Sequence, residues 1–307
     1  LKRIIITGAS GFVGKAFAKK MLEAGILVYA VVRNTEKISD LQKFKNLVVI
    51  QAELSDYKNL TSKINERKFD VFYHFAWEGV AGDSFKNYDL QLRNSVYACD
   101  AIMAAIDLEC KKFVFAGTIN EFEVQKYLRV DYNISPRFTC IYSTSKMAAG
   151  MICKTLANNY GIEYNAGLLA MGYGEGKIQN VLPNVVIRSL INNSPIKLIE
   201  GNNLYDLVYI DDIVEALYLI GVKGVNQKNY YVGHQKQKTF KEVITDIRDI
   251  LNPEYELSFG EYKDNLDMDY SLIDTNSLHE DTGFECKADF RDSILKTAAW
   301  IKESKLV

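Results

Sequence analysis

Short apolar runs punctuate the first half of the chain, and segments of helical period separate them. The run at 3–7, Arg-Ile-Ile-Ile-Thr, is nearly unbroken, as suits a strand buried on both faces. Further runs at 26–32, 47–51, 69–75, 112–116 and 164–171 bring the predicted strands to six. Helical period is read over 12–24, with Gly25 as the stop, and over 57–65, 87–106 and 142–159. On 87–106, Tyr88, Leu92, Cys99, Met103 and Ile106 recur at three- and four-residue steps and predict the apolar face. No hairpin signal intervenes, so the strands are expected to be parallel and joined by right-handed crossovers. After Gly172 the segments shorten. Helices are expected at 181–191, 212–220, 240–251 and 290–302, and strands at 196–199, 207–209, 229–232 and near Leu257. The reading is an α/β protein: a doubly wound parallel sheet over 1–171, and a smaller C-terminal lobe over most of 172–307, some of whose segments return to the large domain.

Composition narrows the function. The 307 residues are 48% hydrophobic and 25% charged, enough for an ordinary core. Lys and Arg total 37 against 39 Asp and Glu, and acidic residues interrupt the basic positions of 43–68, so no nucleic-acid partner is expected. No apolar run approaches the roughly 18 residues of a membrane span. Neither a membrane partner nor a signal peptide is expected, and Leu1 in place of an initiator methionine suggests a trimmed or incomplete chain. Five cysteines, an odd count without a C-x-x-C, point to reduced thiols and a cytoplasmic setting. Without a Cys/His cluster no catalytic metal is expected.

The chemistry begins at Gly8-Ala9-Ser10-Gly11-Phe12-Val13-Gly14, directly after the first strand. Gly8 permits a tight turn, Gly11 a close approach of a pyrophosphate, and Gly14 close packing of helix on sheet. The N–H groups of Ser10, Phe12 and Val13 belong to the same turn, whose helix start suits an anion. This is a Rossmann-like signature for a dinucleotide. An acid ending the second strand would select NAD; here Val32 stands there and Arg33 follows, which favours a 2′-phosphate and hence NADP, with NAD as the alternative. Glu53 and Leu54, after the third strand, are placed at the adenine.

Tyr142-Ser143-Thr144-Ser145-Lys146 sets a phenol and an ammonium on one helical face. A phenol near pKa 10 is a poor proton carrier at neutral pH, and a neighbouring cation favours its phenolate. Tyr142 can then exchange a proton with a sugar hydroxyl or ketone, Lys146 can hold the nicotinamide ribose, and Thr118, ending the fifth strand, can bond the same substrate oxygen.

These pieces, with His74-Phe75-Ala76-Trp77, Ala116-Gly117-Thr118 and the run Tyr205 to Ile213, resemble the extended short-chain dehydrogenase/reductases of the nucleotide-sugar epimerase/dehydratase branch. The resemblance implies catalysis by Thr118, Tyr142 and Lys146, a cofactor channel lined by His74, Phe75 and Ala76, Asn94 close to the sheet and cofactor, and a nucleoside-diphosphate sugar as substrate; a homodimer is expected from the long helices 87–106 and 142–159, which can pair across a two-fold axis. Glu78, Asn120, Lys177, Asn180 and Tyr205 are the candidate substrate contacts; Ser84, Tyr88 and Tyr173 are weaker ones. Asp211 and Asp212 match a scaffold signature. The chain also departs from the branch. Where the 4,6-dehydratases carry Thr-Asp-Glu it has Thr118-Ile119-Asn120, without the acid and base, and Glu121 is one position out of register. Tyr205 replaces an arginine that reaches the phosphates, and Leu168 and Leu169 stand where many members have another. The reading favoured by Val32-Arg33 is an NADP-dependent 4-ketoreductase of a 4-keto-6-deoxy sugar nucleotide. The alternatives are an NAD-dependent 4-epimerase, a non-catalytic dinucleotide-binding regulator, and a reductase of small carbonyls.

Overall fold

The computed structural model describes residues 1–130, 136–262 and 268–304. Seven parallel strands form one sheet in the order β3-β2-β1-β4-β5-β6-β10. They are β1 (Arg3–Thr7), β2 (Leu27–Val32), β3 (Leu47–Gln51), β4 (Val71–His74), β5 (Lys112–Thr118), β6 (Glu163–Leu169) and, returning from the second half of the chain, β10 (Asn229–Val232). The central strands are buried along both faces, which is why they read as near-continuous apolar runs. Strand order reverses between β1 and β4, and in such sheets ligands bind outside the carboxyl ends of the strands at that point.

Helices cover both faces. On one, α1 (Phe12–Glu23) packs against α6 (Ile210–Lys223); on the other, α2 (Tyr88–Asp107) packs against α4 (Cys140–Tyr160). Small residues let α2 and α4 approach closely: Ala98, Ala101 and Ala105 on one, Ala149, Cys153 and Ala157 on the other. The Cys153 thiol reaches Ala98 O at 3.5 Å, and Ser95 Oγ donates to Ser145 O at 2.8 Å. The buried face of α2 is therefore not the predicted stripe. Tyr88, Leu92 and Val96 are 68%, 57% and 58% exposed, while Gln91, Asn94 and Ser95 point inward. A short helix, α3 (Glu121–Val130), follows β5.

The smaller lobe grows from β7 (Met171–Tyr173), which pairs parallel with β9 (Leu207–Tyr209), and β8 (Leu204–Tyr205), antiparallel to β11 (Lys238–Thr239). Around them lie α5 (Leu182–Asn192), α7 (Phe240–Leu251), α8 (Ser277–Thr282) and α9 (Phe290–Glu303). The strands expected at 196–199 and near Leu257 reduce to a single bridge between Leu198 and Phe259. Asp212, at the start of α6, accepts the N–H groups of Lys287 and Ala288, a scaffold role joining the segments. No helix among the described residues is long and apolar enough to cross a membrane.

Candidate functional site

The glycine turn sits where strand order reverses. Gly8 has φ +71°, and a Cβ on it would lie 2.7 Å from the backbone N of Ala76; a Cβ on Gly14 would lie 2.2 Å from Gly8 O. Both positions thus exclude side chains, and the turn closes tightly on β4 and α1. Gly11 begins α1 with no side-chain cap, so the first N–H groups of that helix remain open toward the cleft. The site fits a dinucleotide: a pyrophosphate is the acceptor such a helix start suits.

The cleft holds about 1550 Å³. Single small-molecule pockets run to roughly 1,000 Å³, so this one has room for a dinucleotide and a second ligand. Gly8, Ser10, Gly11, Phe12, Val13 and Gly14 line one end, with Arg33 and Phe75. Thr118, Tyr142 and Lys146 line the middle; Glu78, Asn120, Lys177 and Asn180 are also in the wall. Other expected residues lie elsewhere. His74 and Ala76 are behind the glycine turn: His74 is buried and shares a 2.8 Å hydrogen bond with Thr7, and burial first, then the Lys146 charge, holds its imidazole neutral, down to about 3. Leu54 is buried, and Glu53 caps the 3-10 turn Leu54–Ser62 instead of entering the cleft. Tyr205 packs its ring on Phe240, and its hydroxyl is buried without a hydrogen-bond partner among the described residues. Tyr88 is on the outer surface of α2.

At the centre, α4 carries Tyr142 and Lys146 one turn apart, and β5 delivers Thr118 to the phenol, with which its side chain forms a hydrogen bond. Lys146 Nζ donates to Ala116 O at 2.8 Å and lies 4.0 Å over the Trp77 ring and 5.0 Å over Phe115. Burial pushes the Lys146 ammonium down to about 7, against the opposing pull of Glu121. Burial also raises the Tyr142 phenol, the Thr118 bond working the other way, and Lys146 is not among the groups that shift it. In the protein by itself the phenol therefore stays protonated. Of the two cations expected to acidify it, the lysine and a positively charged nicotinamide ring, Lys146 does not shift the phenol.

Two aromatic walls enclose Tyr142: Trp77 edge-on at 6.2 Å and Phe85 at 4.8 Å between ring centroids. Trp77 is fixed by its indole N–H donating to Gln91 Oε1 at 2.8 Å, while Gln91 Nε2 donates to the carbonyls of Gly79 and Ser84. Asn94 accepts from Glu78 N and donates to Glu78 O. The predicted place of Asn94 beside the cofactor becomes a clamp on the loop behind it. Phe85 and Gln91 carry no motif; the available signal is a pair of amides, Gln91 and Asn94, on the face that α2 buries.

The cofactor expectation rested on Arg33. Its guanidinium is 3.1 Å from Glu78 Oε1 and 4.0 Å from Glu53 Oε2. Two carboxylates already occupy the charge that was to receive a 2′-phosphate, and they would repel one. Lys177, expected at the substrate, has its ammonium 4.9 Å over the Phe12 ring, at the glycine turn. Burial pushes it down to about 8.

A dinucleotide fold with a threonine, tyrosine and lysine converging at its topological switch point defines a short-chain dehydrogenase/reductase of the extended kind. The profile of the NAD dependent epimerase/dehydratase family matches residues 4–233, and the chain belongs to that family. Among curated relatives, a trifunctional UDP-glucose 4,6-dehydratase/3,5-epimerase/reductase of Arabidopsis thaliana is 22% identical over 99% of this chain; the chain spans about half, 48%, of that protein. A dTDP-glucose 4,6-dehydratase of Neisseria gonorrhoeae is 22% identical over 99% of this chain and 96% of its own length. Among solved structures, the UDP-glucose 4-epimerase of Thermotoga maritima superposes with a TM-score of 0.80 at 17% identity, covering 99% of both chains. The UDP-glucuronic acid 4-epimerase of Bacillus cereus, solved with NAD, gives 0.79 at 17% over 98% of this chain and 99% of its own. A dTDP-glucose 4,6-dehydratase of Bacillus anthracis, also with NAD, gives 0.79 at 21% over 100% and 98%. At these identities the structural likeness is one of fold. The Bacillus cereus and Bacillus anthracis structures are solved with NAD, not NADP, and on that ground the expectation of NADP is set aside.

Proposed function

We propose that the protein is an NAD-dependent 4-epimerase of a nucleoside-diphosphate sugar. The observation that carries this reading is the relay itself, with no dehydratase pair beside it. Thr118, Tyr142 and Lys146 face a cleft wide enough for two ligands, while Ile119 and Asn120 offer neither acid nor base and Glu121 is turned out of the cleft wall. The ketoreductase reading rested on Arg33 as a phosphate ligand, and that support is gone.

In this mechanism Tyr142 takes the proton from O4 of the sugar as C4 is oxidised, and returns it when C4 is reduced on its other face. When bound, NAD supplies the hydride acceptor and, in its oxidised form, a positive charge beside the phenol. Thr118 holds the same oxygen in line. Lys146 as an ammonium binds the ribose. Trp77 and Phe85 keep water from the ketone. Asn120 and Asn180 fit contacts to the sugar and its diphosphate, and Glu78 orients Arg33. Residues 1–171 then serve the cofactor and most of 172–307 the substrate. The free thiols fit a reducing cytoplasm.

The exposed apolar stripe Tyr88, Leu92 and Val96 of α2, with Met151 and Ile152 of α4, fits a second copy of the chain across a two-fold axis. To test the activity, purified protein with catalytic NAD is incubated with a panel of UDP- and dTDP-sugars, and products are read by NMR. A C4 epimer supports the reading; stoichiometric oxidation of NADPH or NADH by a 4-keto sugar overturns it.

A further inference from the structure

Glu121 has no step in that mechanism, yet the fold is built around its carboxylate. It opens α3, is 6% exposed, and turns back to the end of β5, where Oε1 accepts the N–H of Thr118 at 2.9 Å. Gly117 makes this possible: a Cβ there would lie 2.7 Å from Glu121 Oε1 and 2.5 Å from Leu168 Cδ2. One residue earlier, Ala116 O receives the Lys146 ammonium. The carboxylate and the ammonium thus grip the same strand end two residues apart and attract one another.

Among the described residues, the other groups facing this pair bring no charge that compensates it near neutral pH. On α4 they are Tyr142, kept protonated by burial, and Cys153, whose thiol is raised by its contact with Cys99 and by burial. On β4 His74 is neutral, and on β6 burial keeps Tyr164 protonated. Glu121 is the one member of this set that can be anionic near neutrality, although burial raises it to about 7.

We propose that Glu121 is a positioning residue of the proton relay: its carboxylate fixes the backbone that presents Thr118 to Tyr142, and supplies the negative charge that keeps Lys146 an ammonium within an aromatic wall. The inference rests on the Thr118, Tyr142 and Lys146 relay but not on the identity of the sugar.

Glu121→Gln keeps an acceptor for the Thr118 N–H and removes the charge. The readout is the titration of the Lys146 Cε resonance in the NAD-bound, lysine-labelled protein, assigned by its loss in Lys146→Met. The midpoint should fall by about one unit, as expected when a close opposite charge is removed. The alkaline limb of kcat should move down with it, costing about fivefold in kcat at pH 7 and approaching tenfold above pH 8, with KM unchanged. Glu121→Asp keeps the charge but is too short for the Thr118 N–H; its Lys146 midpoint should stay near wild type while kcat falls. An unmoved Lys146 midpoint in the Gln variant, or full kcat in the Asp variant, overturns the proposal. Because the resonance needs no substrate, failure of the epimerase reading alone would leave its shift intact.

Discussion

In the proposed reaction turnover depends on Tyr142, whose surroundings keep the phenol protonated in the protein by itself. Burial against Trp77 and Phe85 raises the phenol, and the only nearby bond that lowers it is to Thr118. Tyr142→Phe should leave the fold and NAD affinity intact while lowering kcat by roughly 10²- to 10⁴-fold, the range for a general acid–base group, measured by product NMR. Arg33 shows how neighbours reassign a charge. With Glu78 and Glu53 both replaced by Ala, the guanidinium is released, and NADP should gain about tenfold in affinity relative to NAD by calorimetry. An unchanged ratio would mean that Arg33 does not face the adenosine ribose. The meeting of Thr118, Tyr142 and Lys146 could be read from the sequence because Tyr142 and Lys146 are four apart on one helix and Thr118 ends a clear strand. The fate of Arg33 could not, because its partners come from loops 20 and 45 positions away. Nor could the inward turn of Glu121, which depends on a bare Gly117.

Among the elements, the strands of the large sheet were legible because burial on both faces writes them as unbroken apolar runs. Their helices were harder. The segment expected as a helix at 57–65 is a 3-10 turn, Leu54–Ser62, started by the reciprocal cap of Glu53 and Asp56. The helix α3 escaped notice because Glu121 and Glu123 are charged yet buried. Glu123 is held by Arg137, whose Nε donates to it at 2.6 Å, so polarity does not mark the solvent face there. On α2 part of the apolar pattern pointed outward: Ala98, Ala101, Ile102 and Ala105 pack inward, while Tyr88, Leu92 and Val96 are left at the surface. That inversion motivates a prediction about the helix pair. Leu92→Glu with Met151→Glu, both on exposed faces, should convert a dimer to a monomer in sedimentation without lowering Tm. A monomeric wild type, or a dimer that survives both charges, would remove the proposed interface.

For the molecule as a whole, the two lobes are linked through the site rather than merely adjacent. The chain leaves the large sheet after β6, contributes Lys177 and Asn180 to the cleft, and returns as β10 beside β6. Because Lys177 leans on Phe12 of the glycine turn, an anion bound there would touch both lobes. Burial lowers its ammonium to about 8, so the positive charge is present below that pH and lost above it. The affinity for NAD should therefore weaken as pH rises through about 8. Lys177→Met should weaken it about tenfold at neutral pH and abolish that pH dependence, as read by calorimetry. An unaltered NAD affinity, with weaker binding of a nucleoside diphosphate, would move Lys177 to the substrate.

In the proposed reaction C4 of a sugar is oxidised and re-reduced without net consumption of cofactor. It is tested most directly with a nucleoside-diphosphate sugar deuterated at C4, incubated with the protein and substoichiometric NAD. The C4 epimer should form with deuterium retained at C4, and the amount of reduced nicotinamide should not grow with turnover. Net consumption of a reduced nicotinamide, or release of a 4-keto-6-deoxy product, would contradict it.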